Sequence, residues 1–240
     1  MDLLTILIGY DEQDVRILCA NVENVWVYNK TSGKVMVYED QPADFYGLIT
    51  ALEKNKKKLP FLSYIVTVIF IVINVLVFIH LAVNGNPEKA SYMLSKGAMY
   101  PARIFQNGEY WRFITAAFLH FGMRHLVNNM FMLGYMGSWL EKAMGHIRFL
   151  ILYLMSGIGG NLLSYLIMCK TGDYAVAAGA SGAIFGVVGG TLWVVICHRG
   201  RYESLTTPGV LFMIAFSLYY GVATAGTDNW GHIGGLFTGL

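Results

Sequence analysis

GASGAIFG, residues 179–186, opens an almost unbroken apolar run that reaches Cys197. A single hydroxyl, that of Ser181, stands between glycines where a membrane helix begins. Small residues at such a place let neighbouring helix backbones approach closely. A hydroxyl there also has the position of a nucleophile, because backbone N–H groups point outward from a helix N-terminus. The rest of the chain decides between packing and chemistry.

The chain has 240 residues, 55% hydrophobic and 13% charged. Soluble domains carry about 25% charged residues, so this deficit points to lipid. The net charge of +2 is too small and scattered for nucleic acid. Cys19, Cys169 and Cys197 have neither the even number of a disulfide framework nor metal-ligand spacing. The opening MDLLTILI lacks the basic flank and cleavage site of a secretory signal, and it is not an Arg-rich transit peptide.

Composition changes near residue 58. Residues 1–58 hold nine of the fifteen acidic residues and read as a small cytosolic α+β domain. Val25–Tyr28 and Val35–Tyr38 have strand character, with a turn-forming NKTSGK between them. Residues 44–55 place Phe45, Leu48, Ile49 and Leu52 on one face of a short helix. Residues 59–240 read as a polytopic membrane core, mainly α, with six spans at 61–83, 123–140, 148–168, 181–197, 208–223 and 230 onward. Lys54, Lys56, Lys57 and Lys58 precede the first span and place the N-terminal domain in the cytosol. Alternation then puts Lys142, Arg148, Arg199 and Arg201 on the same side. The segment 84–122 carries basic residues but also many aromatics, which assigns it partly to the outer interface.

Polar groups inside spans are costly and mark function. His125 and Asn129 are four residues apart, on one face of the second span. Ser181 opens the fourth span and His232 lies at the start of the sixth. By parity all four sit toward the non-cytosolic side. Gly182, Gly186 and Gly190 repeat every four residues on the fourth span, and Gly231, Gly235 and Gly239 do so on the sixth. Such bare faces permit a close helix crossing. That crossing would bring the Ser181 hydroxyl to the His232 imidazole, a nucleophile–base pair for acyl transfer. The helix N-terminus, His125 and Asn129 would supply donors to an oxyanion.

GASG-x-x-x-G, a downstream GH-x-x-G, an upstream H-x-x-x-x-H-x-x-x-N and a WR in the first loop resemble the rhomboid family of intramembrane serine proteases over residues 59–240. The resemblance implies a Ser181–His232 dyad without a carboxylate, and an oxyanion hole of His125, Asn129 and the Ser181 N–H. It implies that Phe185 packs on the catalytic histidine, and that Gly179, Gly182 and His120 support the site, His120 mainly structurally. Trp111 and Arg112 match the structural WR, and Gly186, Gly231, Gly235 and Gly239 match the positions of close helix packing. It implies no cofactor and no metal. The partners implied are the lipid bilayer and single-pass transmembrane protein substrates, cut near the non-cytosolic side and entering beside the fifth span. The absence of import signals points to the plasma membrane. The alternative is a catalytically inactive relative that binds membrane proteins or serves quality control, although such relatives usually lack the Ser or His.

Other classes find less support. No H-E-x-x-H is present for a zinc protease. Asp173 and Asp228 fall in loops, which disfavours an aspartyl protease, and Asp228 reads as a solvated loop residue rather than a third catalytic member. No repeat between halves supports a transporter. The chain reaches Leu240 eight residues past His232, short for a spanning helix of about 20 residues; the expectation is that the sequence is part of a longer protein and its last helix truncated, the alternative being a last helix that only half-crosses.

Overall fold

The computed structural model describes residues 5–8, 25–29, 34–37, 60–224 and 226–240. It divides into two units, Met1–Leu59 and Pro60–Leu240. In the first, β1 (Thr5–Ile8) pairs in parallel with β2 (Val25–Asn29), which pairs antiparallel with β3 (Lys34–Val37). The register sets Trp26 opposite Val37 and Asn29 opposite Lys34. The two sequence-predicted strands thus pair as a hairpin. The segment expected to be helical, 44–55, lies outside the described residues, as do Tyr38 and the tip of the turn. The strand β1 lies in the opening stretch MDLLTILI, to which the sequence reading assigns no element.

The second unit is helical. A 3-10 turn at Pro60–Tyr64 leads into α1 (Ile65–Asn84). Three short helices follow, α2 (Ala90–Ser95), α3 (Pro101–Asn107) and α4 (Arg112–Thr115), the last continued by a 3-10 turn at Ala116–Phe118. Next come α5 (Gly122–Met132), a π-helical segment at Leu133–Gly137 and α6 (Ser138–Met144), an unbroken helical rod. Gly145, at φ 87°, turns the chain into α7 (His146–Thr171). Then follow α8 (Ser181–Cys197), the two-residue strands β4 (Arg201–Tyr202) and β5 (Leu205–Thr206), α9 (Thr207–Ala223) and α10 (Asn229–Gly239). Every predicted span therefore falls on helix. Two stretches, Leu62–Asn84 and His146–Thr171, are long and apolar enough to cross a membrane by length and composition. The helices α8 and α9 are apolar but shorter, with 17 residues each.

The densest packing joins α7, α8 and α10. Its distinctive material is glycine. A Cβ added to Gly235 would collide with the carbonyl of Gly182, and one added to Gly239 with the carbonyl of Gly186. One added to Gly160 would stand 2.6 Å from the Gly231 oxygen and 3.3 Å from the Gly182 Cα. The periodic glycines thus serve the close crossing their spacing predicts, in a register one turn offset: Gly182 meets both Gly231 and Gly235. The third partner, the SGIGG stretch of α7 (residues 156–160), was not anticipated.

A second device fixes α1. The fully buried Glu141 of α6 accepts hydrogen bonds from Val66 N–H at 2.9 Å, Thr67 N–H at 2.7 Å and the Thr67 hydroxyl at 2.7 Å. Free N–H groups in a first helical turn need an acceptor. Here the acceptor comes from a different helix. His146 Nδ1 lies 2.6 Å from the same carboxylate.

Candidate active site

Ser181 is the first residue of α8, and the segment before it is held from three sides. Gly179 N–H donates to the Ala116 carbonyl at 2.9 Å, and Ala177 forms a reciprocal backbone bridge with Met99. Ala180 N–H points at His120 Nε2 at 3.5 Å. Gly179 adopts φ 151°, and a Cβ there would stand 2.8 Å from His125 Cε1 and 3.6 Å from Ser181 Oγ. Glycine is required on both counts: the conformation is rare for L-residues, and the missing side chain is the space between His125 and Ser181.

His125 and His120 pack edge to face, with centroids 5.2 Å apart. His120 is fully buried. One turn beyond His125, Asn129 is 8% exposed, and its Nδ2 has no hydrogen-bond partner among the described residues. A buried amide donor without an acceptor carries a desolvation penalty of about 1–3 kcal/mol, so the arrangement suits a donor held ready for a ligand oxygen.

His232 lies in the first turn of α10. Asp228 begins that helix by accepting the Gly231 N–H at 2.9 Å, and its carbonyl accepts the His232 N–H at 3.2 Å. The His232 ring stacks on Phe185, centroids 4.3 Å apart and planes 10° apart. Phe185 is one turn below Ser181 on α8, so the imidazole lies against the helix that Ser181 opens. Among the described residues no hydrogen bond joins Ser181 Oγ to His232, and His232 Nδ1 is buried without a partner. The hydrogen bond that the sequence leads one to expect between these two side chains is therefore not formed in the structure.

Beside Ser181 lies a small cavity lined by Gly160, Asn161, Gly179, Asp228 and Gly231 among others. Asp228 therefore differs from its expected role: it is partly buried, caps α10 and faces the cavity. Asn161, which sequence reading missed, donates from Nδ2 to the Phe113 carbonyl at 2.8 Å. A buried Asn on a long apolar span was the available signal.

Trp111 and Arg112 lie apart from this centre, in the segment between α1 and α5. Arg112 is buried and donates to Glu109 at 2.6 Å and to the Leu94 and Ala98 carbonyls at 2.8 Å each. Its guanidinium sits 4.7 Å from the Trp111 ring. The pair organises the segment whose Ala116 and Met99 hold the approach to Ser181. Among the described residues no group of three His, Cys, Asp or Glu side chains is placed to hold a metal ion.

Residues 107–240 match the Rhomboid domain family. The chain is 36% identical over 174 residues to Rhomboid protease GluP of Bacillus subtilis (strain 168), an overlap covering 72% of this chain and 33% of that protein. It is 41% identical over 146 residues to RHOMBOID-like protein 6, mitochondrial, of Arabidopsis thaliana, covering 60% and 46% respectively. It is 33% identical over 157 residues to Rhomboid-like protease 3 of Toxoplasma gondii, covering 64% and 57%. The chain thus spans between a third and somewhat over half the length of these relatives.

Proposed function

The chain belongs to the rhomboid family, and on that premise we propose that it is an intramembrane serine endopeptidase working through Ser181 and His232. The observation that carries this reading is the stack of His232 on Phe185, which sets the imidazole against the helix that starts with Ser181. The protease names of two relatives, from Bacillus subtilis and Toxoplasma gondii, support it.

The mechanism follows from the residues. His232 removes the Ser181 proton as Oγ attacks the scissile carbonyl carbon. The carbonyl oxygen becomes an oxyanion, to which the Ser181 N–H, His125 and Asn129 donate. Each such donor is worth roughly 10²–10³ in kcat. Collapse of the tetrahedral intermediate breaks the C–N bond, and the imidazolium returns its proton to the leaving amine. Water, deprotonated by His232, then attacks the acyl-enzyme, and the acid product leaves as Ser181 is reprotonated. A helical substrate must unwind locally first, because its carbonyls are otherwise engaged within the helix.

In this reading the unit after residue 59 is a six-helix core of the plasma membrane, with the N-terminal domain in the cytosol and the site toward the opposite side. Substrates are single-pass membrane proteins with a helix-destabilising stretch near that boundary. The deciding experiment is fluorophosphonate labelling of the purified protein, alongside cleavage of a transmembrane reporter. Both are expected in wild type and absent in Ser181→Ala, with cleavage absent in His232→Ala. Labelling that persists in Ser181→Ala would overturn the assignment.

A further inference from the structure

We propose that Asp228 selects the side chain accepted at the substrate residue whose carbonyl is attacked, favouring serine and rejecting an acidic residue. The proposal rests on the endopeptidase reading above.

The cavity beside Ser181 holds about 20 Å³, room for roughly one water-sized group. Its walls do not yield easily, because much of them is backbone. A Cβ at Gly160 would stand 2.6 Å from the Gly231 oxygen, and one at Gly182 would stand 3.3 Å from it. The Cα of the attacked residue is one bond from the carbon that Ser181 Oγ approaches. Its side chain therefore falls within a few ångströms of Ser181, and the cavity, which Ser181 itself lines, is placed to receive it. A methyl or hydroxymethyl group fits; a lysine or arginine stem does not.

The polar lining then discriminates among small groups. Asn161 commits its Nδ2 to the Phe113 carbonyl, which leaves its Oδ1 as an acceptor. Asp228 uses Oδ1 to cap the Gly231 N–H. Its Oδ2 lies over Gly231, 2.7 Å from where a Cβ would stand, and has no hydrogen-bond partner among the described residues. No Lys, Arg or His lines the cavity. Asp228 and Asn161 thus each present an acceptor oxygen to the cavity, the first on a carboxylate, beside the Ser181 hydroxyl and the remaining Asn161 N–H. A seryl hydroxyl donates to such a lining, alanine cannot, and a carboxylate meets like charge. Asp228 is partly exposed, so discrimination of about tenfold is expected, well below that of fully buried hydrogen-bonding sites.

The test uses the full chain in detergent and a single-pass reporter whose cleavage point has been mapped by mass spectrometry. Four versions carry Ala, Ser, Asn or Asp at the residue supplying the scissile carbonyl. Wild type is expected to show kcat/KM about tenfold higher for Ser than for Ala, and at least tenfold lower for Asp than for Asn. Asp228→Asn retains a good helix cap. In that variant the Ser/Ala ratio is expected to fall toward one and the Asp/Asn ratio to rise about tenfold. Ser181-dependent cleavage with both ratios unmoved by Asp228→Asn overturns the proposal and leaves the endopeptidase reading standing. A uniform fall for all four substrates also overturns it, because it marks a capping or water-holding role. Absence of any Ser181-dependent cleavage overturns both readings together.

Discussion

The imidazole of His232 lies flat on the ring of Phe185, with planes 10° apart. The two residues come from different helices, and the stack exists because Gly182, Gly186, Gly235 and Gly239 let α8 and α10 close without side chains between them. Phe185→Ala removes the surface on which the His232 ring rests, and in the proposed mechanism that ring is the base. Reporter cleavage is expected to fall tenfold or more, mainly in kcat, while Phe185→Tyr, which keeps the ring face, retains most activity. Equal activity in Phe185→Ala and wild type would show that the stack does not position His232.

The crossing itself can be probed at Gly235. Alanine there places a methyl on the Gly182 carbonyl, and overpacking of this kind costs about 1–3 kcal/mol. A lower Tm in detergent and reduced cleavage are expected together. Gly134→Ala is the control, because its nearest neighbour would be Ile71 Cδ1 at an ordinary 3.7 Å. If both variants melt alike, the glycine crossing is not what holds these helices.

The buried Nδ2 of Asn129 has no hydrogen-bond partner among the described residues. Asn129→Ala is expected to lower kcat by roughly 10²–10³ with little change in KM, the signature of a donor used only in the transition state. Because the native amide has no acceptor, Tm should hold or rise slightly. A large drop in Tm with unchanged kcat would assign Asn129 to structure instead.

Glu141 secures the start of α1 by accepting from Val66 and Thr67. Glu141→Ala orphans those donors at about 1–3 kcal/mol each. Glu141→Gln keeps one carbonyl acceptor and should fall between the two. Thermal unfolding in detergent measures the series, and identical Tm values for all three proteins would remove the capping role.

Much of this protein is legible along the chain because a membrane makes it so. Apolar run length is a local property, and all six expected spans fall on helix. Polar residues in those runs stand out for the same reason, and Ser181, His125, Asn129 and His232 are legible as candidates on that ground. Their grouping by parity and glycine spacing agrees with the juxtaposition of α8 and α10. Other features depended on residues distant in sequence. The involvement of α7 through Gly160, the remote capping of α1 by Glu141, and the turn of Asp228 toward the cavity beside Ser181 involve separations of 22 to 75 positions.

Sequence alone determined where helices form and which residues carry reactive groups, since hydropathy and residue chemistry are written position by position. Only the tertiary structure decided which glycine meets which carbonyl, which ring supports the histidine and which acid faces the cavity. Each of those is a distance between backbones, set by how three helices settle against one another rather than by any one of them.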